Sequence, residues 1–217
     1  MNNADLTIRS LGLRDYPSVW EAMQAFTVAR TETTADELWL LEHTPVFTLG
    51  YNSKPEHLKL PGDIPVIQAD RGGQVTYHGP GQIVAYVLLD LQRRGWGVRQ
   101  LVDTLQQAVI SLLATYGITG ATRREAPGVY VDGAKIAAIG LRVRHGRCYH
   151  GLSLNVAMNL EPFHLINPCG YPEMKITQLS GLVPVSDMGM VGNTLTGKLA
   201  QGLGYNTVPI NHAPDLP

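Results

Sequence analysis

The chain has 217 residues, 44% of them apolar and 16% charged, a composition that supports one substantial hydrophobic core and excludes intrinsic disorder. Its net charge of −1 gives no electrostatic case for nucleic acid or an anionic membrane surface, so neither is expected as a partner. No apolar run approaches the roughly 20 residues that a membrane-spanning helix needs.

In chain order, residues 6–13 alternate as a strand, and 16–30 have helical character with Asp15 as N-cap. Residues 37–42 and 46–49 are short apolar strands separated by Pro45. Residues 58–65 read as loop and 66–67 as a short strand. Residues 71–82 hold a dense run of turn-forming glycines and a proline, followed by the strongest strand, 83–89. Leu101, Val102, Leu105, Ala108, Val109, Leu112, Leu113 and Tyr116 recur at helical spacing and make one apolar stripe, which Gly117 ends. A three-stranded meander follows: 129–131, a turn at Asp132-Gly133, 135–144, a turn at His145-Gly146, and 147–156. Beyond Leu160 the chain is irregular and proline-rich until a helix at 193–202, and the tail from Asn206 reads as loop. Unequal runs of strands and helices, without repeats, predict an α+β fold with mixed or antiparallel sheets packed against helices. No segment is long and polar enough to be a linker, so residues 1–217 are expected to form one domain.

Two residues carry chemistry. Lys135 lies in Gly133-Ala134-Lys135-Ile136-Ala137-Ala138-Ile139-Gly140, a run otherwise apolar. Either its stem crosses apolar surface and its head reaches water, or the ammonium is desolvated and exchanges protons. Cys169 lies in Asn167-Pro168-Cys169-Gly170-Tyr171-Pro172, where two prolines and a glycine impose an irregular loop. It reads either as a small buried hydrophobe or as a nucleophile beside a cation. Cys148, within a strand, reads as packing. With two cysteines and no basic-then-apolar pattern in Met1-Asn2-Asn3-Ala4-Asp5-Leu6, free thiols and a cytoplasmic setting are expected, with a Cys148–Cys169 disulfide as the competing reading. No metal-ligand spacing is present, so no metal site is expected.

The stretch Arg71-Gly72-Gly73-Gln74-Val75-Thr76-Tyr77-His78-Gly79-Pro80-Gly81-Gln82 is either a plain structural turn or a loop whose backbone N–H groups approach a ligand closely. It lacks the glycine and lysine spacing of a nucleotide-binding loop. His78, His150 and His164 are the histidines that would serve a cysteine hydrolase, and nothing in the sequence places one of them beside Cys169.

This stretch resembles the signature of the lipoyl(octanoyl) transferases. So do the Lys135 strand, Gly151-Leu152-Ser153-Leu154-Asn155-Val156, and the loop Asn167-Pro168-Cys169-Gly170. The four segments stand in the family's order, and the resemblance covers residues 6–203. It implies a fold like the catalytic domain of biotin and lipoate protein ligases. It also implies transfer of an octanoyl group from octanoyl-acyl carrier protein to a lysine of lipoyl domains, in 2-oxoacid dehydrogenases and the glycine cleavage H protein. By position, Cys169 is the acyl-thioester nucleophile and Lys135 its partner. Arg71, Gly72, Gly73, Gln74, Val75, Thr76, Tyr77, His78, Ala138, Ile139, Gly140, Gly151, Leu152 and Ser153 would line the acyl site. One departure is Ala138, where serine is also familiar. The donor is already a thioester, so no cofactor is expected, and a monomer is the default. The rival readings are an ATP-dependent lipoate or biotin ligase, a cysteine hydrolase, and a non-catalytic lipoyl-domain or acyl-chain binder.

Overall fold

The computed structural model describes residues 6–171, 173–205 and 215–217, with the backbone alone described at Cys169. The tail expected as loop from Asn206 falls mostly outside these residues. The elements are β1 (Leu6–Arg14), α1 (Tyr16–Ala29), β2 (Asp36–His43), β3 (Val46–Leu49), β4 (Val66–Gln68), β5 (Val75–His78), β6 (Gln82–Asp90), α2 (Leu91–Arg94), α3 (Val98–Thr115), β7 (Ala121–Thr122), β8 (Gly128–Val131), β9 (Ala134–Arg144), β10 (Arg147–Asn155) and α4 (Met188–Gly202). The expected α+β architecture stands. One mixed sheet has the order β1-β2-β6-β10-β9-β8-β7, and a smaller one the order β4-β3-β5. β1 runs parallel to β2, and β3 parallel to β4; the other pairings are antiparallel.

β6 shows why this sheet is covered on both faces. Its residues alternate between two cores, as the two-residue period of a strand requires. Ile83, Ala85, Val87 and Leu89 join Leu38 and the apolar stripe of α3, including Leu101, Leu105, Leu112 and Leu113, with Leu195 and Leu199 of α4. Val84, Tyr86 and Leu88 face the other way, toward Val19 and Met23 of α1 and Trp39 of β2. α1 is capped by Asp15, whose carboxylate accepts from the Ser18 amide at 2.9 Å. The smaller sheet contributes Phe47, Val75 and Tyr77 to a third cluster with Met158, Phe163 and Ile166.

Three differences from the sequence reading matter. The turn-rich stretch 71–82 contains a real strand, β5, because Val75 to His78 pair with β3. α2 and β7, of four and two residues, are too short to leave a periodic signal. The last helix starts at Met188, capped by Asp187, which accepts from the Gly189 amide at 2.7 Å. Both meander turns are as expected, with positive φ at Asp132, Gly133, His145 and Gly146.

Candidate active site

β5 and the loop before it lie across β9, held there by the Gly72 amide, which donates to the Leu141 carbonyl at 2.9 Å. They help line an open pocket with about 500 Å³ of empty space, its mouth to solvent included. Arg71, Gly73, Gln74, Val75, Thr76, His78, Ala138, Ile139, Gly140, Gly151, Leu152 and Ser153 line it. Two residues expected with them do not. Gly72 is engaged with β9, and strand alternation turns Tyr77 away from the side of Thr76 and His78, onto Phe47 and Phe163. Arg71 is buried, and its guanidinium donates to the Thr48 carbonyl at 2.7 Å, to the Thr48 hydroxyl at 2.8 Å and to the Gly72 carbonyl at 3.0 Å. The cation therefore clamps the loop to β3.

A second, smaller cavity holds Lys135, with Gln82, Ala137, Asn155, Phe163, Pro168 and Ile176 in its wall. Thr76, Ala138 and Ser153 line both cavities, so the two adjoin through these three residues. Lys135 is only 3% exposed, which removes the reading in which its head reaches water. Its ammonium donates to the Pro127 carbonyl at 3.3 Å and stands 5.2 Å from the centre of the Tyr130 ring. A bulge in the β8–β9 pairing, between Val129 and Tyr130, gives the side chain this path. Gly128, at φ 150°, is part of it: a Cβ there would lie 2.4 Å from the Ala137 carbonyl oxygen and 3.0 Å from Lys135 Cε. The Lys135 amide donates to Lys175, and its carbonyl accepts from Thr177 at 2.9 Å, which fixes the segment after the cysteine loop beside β9.

Cys169 lies in a single helical turn, Pro168–Gly170, closed by the Gly170 amide donating to Asn167 at 2.9 Å. Pro168 lines the Lys135 cavity, so the cysteine loop borders the lysine's end of the site. His57 and Gln74 pack on this loop, each with an atom 3.3 Å from where a Cβ on Gly170 would sit. Cys148 is 1% exposed in β10 and packs in the core; burial pushes its thiol up, far from a reactive thiolate, and it is a free cysteine.

The three histidines that the sequence offered as candidates are elsewhere. His164 is exposed on a surface turn. His78 and His150 line the large cavity and do not line that of Lys135. His78 Nδ1 donates to Gln82 Oε1 at 2.7 Å, and Gln82 Nε2 donates to Asn155 Oδ1 at 2.9 Å. Burial holds His78 down, to about 3, and His43 to about 4, so both are neutral near pH 7. His43 Nδ1 donates to the Arg14 carbonyl at 3.1 Å, which leaves Nε2 to accept from the Tyr86 hydroxyl at 2.7 Å. His150 is lowered by burial too, against the pull of Asp70, so its 2.9 Å contact with that carboxylate is a hydrogen bond from a neutral ring. Burial would raise Asp70, but donors from His150, Tyr149 and Trp20 outweigh it and hold the carboxyl well below the usual range. His150 adopts φ 64° inside β10, a left-handed conformation costing about 1–3 kcal/mol, which the surrounding contacts must offset.

Tyr16, Val84, Tyr86 and His150 complete the wall of the large cavity, and Gln82 and Asn155 that of the smaller one. Of these, sequence reasoning named His150 as a candidate histidine; it assigned none of the others to the site, nor His57 or Asp70. The available signals were weak: a tyrosine at the first turn of a helix, a tyrosine inside the most apolar strand, and an aspartate directly before Arg71.

The family model for the lipoyl protein ligase A/B catalytic domain matches residues 15–200. Among solved structures, lipoate-protein ligase A bound with ATP superposes with a TM-score of 0.75 at 14% identity, covering 96% of this chain and 88% of that one. A bipartite lipoate protein ligase from Thermoplasma acidophilum gives 0.76 at 14% identity, covering 97% and 87%. A biotin protein ligase from Aquifex aeolicus gives 0.55 at 12% identity, covering 92% and 68%. At such identities the likeness concerns the fold, which is that of the lipoate and biotin ligase catalytic domains. Sequence relatives narrow the class. An octanoyltransferase from Pseudomonas fluorescens (strain Pf0-1) is 57% identical over 200 residues, 92% of this chain and 93% of that protein. One from Marinobacter nauticus is 56% identical over 205 residues, 94% and 97%. The chain belongs to the octanoyltransferase family, and its activity is the transfer of octanoyl groups, an acyltransferase reaction.

Proposed function

We propose that the chain moves octanoyl from acyl carrier protein to a lysine of lipoyl domains through a thioester on Cys169, with Lys135 managing the protons. The observation that carries this reading is the adjoining pair of cavities. One holds a buried ammonium and borders the cysteine loop; the other, lined in part by Val75, Val84, Ile139 and Leu152, offers apolar wall to an acyl chain.

In the first half-reaction the Cys169 thiolate attacks the donor's carbonyl carbon. The bond to the carrier-protein sulfur breaks, and the departing thiolate takes a proton from the Lys135 ammonium. A free thiol is only a few per cent ionised at neutral pH, and a nearby cation corrects that by favouring the thiolate. The acyl-enzyme is uncharged, so a neutral Lys135 beside it avoids an uncompensated buried charge. In the second half-reaction the substrate lysine attacks the thioester as the free amine; neutral Lys135 takes the proton that its nitrogen loses as the amide forms, and Cys169 leaves as the thiolate beside a restored ammonium. Gly73, Gln74, Thr76, Ala138, Gly140, Gly151 and Ser153 wall the acyl chain. Gly72 and Tyr77 support that wall from behind. The 217 residues act as one catalytic domain, as a monomer in the cytoplasm. The enzyme needs no resident cofactor.

The test is intact-mass measurement after mixing the protein with octanoyl-acyl carrier protein. The expected product is a single octanoyl adduct, lost in Cys169→Ala and retained in Cys148→Ala. An adduct that persists in Cys169→Ala, or that forms only when ATP and free octanoate are supplied, would sink the thioester route.

A further inference from the structure

Three strands agree on where the two cavities meet. Along one face of β10, Gly151, Ser153 and Asn155 follow one another about 6.6 Å apart, as the two-residue period of a strand requires. Gly151 lines the large cavity only, Asn155 the lysine's cavity only, and Ser153 both. β9 repeats the order: Gly140, paired with Gly151, lines the large cavity, and Ala138, paired with Ser153, lines both. From the opposite wall β5 brings Thr76 to the same level, and β5 packs beside the helical turn that carries Cys169. An acyl chain in the large cavity, joined to a cysteine that borders the lysine's cavity, therefore has its carbonyl at this level.

Ser153 is the polar side chain held most firmly there. It lies inside the large sheet, paired with Val84 of β6 on one side and Ala138 of β9 on the other. The residue is 5% exposed, so the little surface it keeps opens on the cavities it lines. Beyond Cβ a serine has only its hydroxyl to present, and this one bonds to no other described residue. The amides nearby are committed. Asn155 Nδ2 donates to the Thr177 carbonyl at 3.0 Å, and Gln82 Nε2 donates to the Tyr77 carbonyl at 3.2 Å and to Asn155 Oδ1 at 2.9 Å. Ala138 has no polar side-chain atom, and Thr76 stands on the edge strand of the smaller sheet.

We infer that Ser153 is a catalytic residue whose hydroxyl donates a hydrogen bond to the carbonyl oxygen of the acyl group as that oxygen becomes an oxyanion. The inference rests on the acyl-thioester reading above. In the first half-reaction the Cys169 sulfur bonds to the carbonyl carbon and the carrier-protein sulfur leaves it. In the second the substrate nitrogen bonds to the same carbon and the Cys169 sulfur leaves. Each time the carbonyl π electrons move onto oxygen and return when the thiolate departs. A donor fixed beside that oxygen is worth most while the charge is there, so it lowers the barrier of both steps. The serine proton stays on its own oxygen throughout, and proton transfer remains with Lys135.

The experiment compares the full-length wild type, Ser153→Ala, and the double variant Ser153→Ala with Ala138→Ser. The double variant moves the hydroxyl one strand over at the same level, because the two residues are direct cross-strand partners. Ser153→Ala should slow single-turnover octanoylation of Cys169 and onward transfer to a lipoyl domain together, each by about a hundredfold. The pH profile of Cys169 alkylation by iodoacetamide should stay at that of the wild type, since the hydroxyl acts on the acyl group and not on the thiol. The double variant should recover most of both rates. Wild-type rates in Ser153→Ala, a shifted alkylation profile, or a double variant as slow as the single one would each overturn the role of Ser153. A wild type that is alkylated at Cys169 yet gains no octanoyl adduct strikes at the thioester reading itself and removes the basis for that role.

Discussion

At the scale of single residues, Lys135 is the group whose replacement separates charge from proton transfer. Lys135→Met keeps the stem and removes the cation. The thiol of Cys169 should then ionise at higher pH, and both half-reactions should slow. Lys135→Arg keeps the cation, but a guanidinium does not deprotonate and cannot act as base. Acylation of Cys169 should survive better in that variant than transfer onward to the lipoyl domain. The measurements are the pH profile of Cys169 alkylation by iodoacetamide and single-turnover rates of the two steps. A wild-type alkylation profile in Lys135→Met, or equal slowing of both steps in Lys135→Arg, would remove Lys135 from the chemistry. The lysine was legible in the sequence because an ammonium is conspicuous in an apolar strand. Its side-chain path was not, since that depends on Gly128, on the neighbouring strand.

At the scale of elements, the β8–β9 bulge does the aiming. Gly128→Ala would put a methyl 2.4 Å from the Ala137 carbonyl and against the lysine stem, so strand or ammonium must shift. A displacement near 1 Å at the reacting centre costs about a hundredfold in rate, so acylation should drop on that scale while the far-ultraviolet circular dichroism stays native. Unchanged acylation would show that the bulge leaves the lysine's position to other contacts. Elements with a strong period were readable: α3 through its apolar stripe, β6 through its unbroken run, the meander through its turn dipeptides. β5 was not, because four residues flanked by glycines look like the turn that surrounds them, and only pairing with β3 makes a strand. Part of the large cavity's wall was hidden for a different reason. Tyr16, Val84 and Tyr86 come from a helix and a strand far apart in sequence, and each by itself looks like ordinary core.

At the scale of the whole molecule, the buried histidines couple the cavity to acid stability. His43 and His78 ionise near 4 and 3 in the folded chain, against an ordinary value of 6.5. Below pH 6.5 the unfolded chain therefore takes up protons that the folded chain refuses. The stability these rings contribute is complete above 6.5 and is lost as pH falls toward 4 and then 3. Urea midpoints should decline across that window. His78→Asn, which keeps a donor for Gln82, should flatten the decline by about one proton; an unaltered slope would mean that His78 is not held neutral. Sheet order has a consequence for how such a molecule comes into being. β8, β9 and β10 are consecutive hairpins and need only short loops to find each other. β2 and β6 pair Glu37 with Leu88, and β6 and β10 pair Asn155 with Gln82, so those contacts close long loops whose entropy is lost before packing returns it. The hairpin bearing Lys135 is thus favoured to assemble early, and the large cavity, whose wall needs β6 and α1, is among the last things a newly made chain acquires.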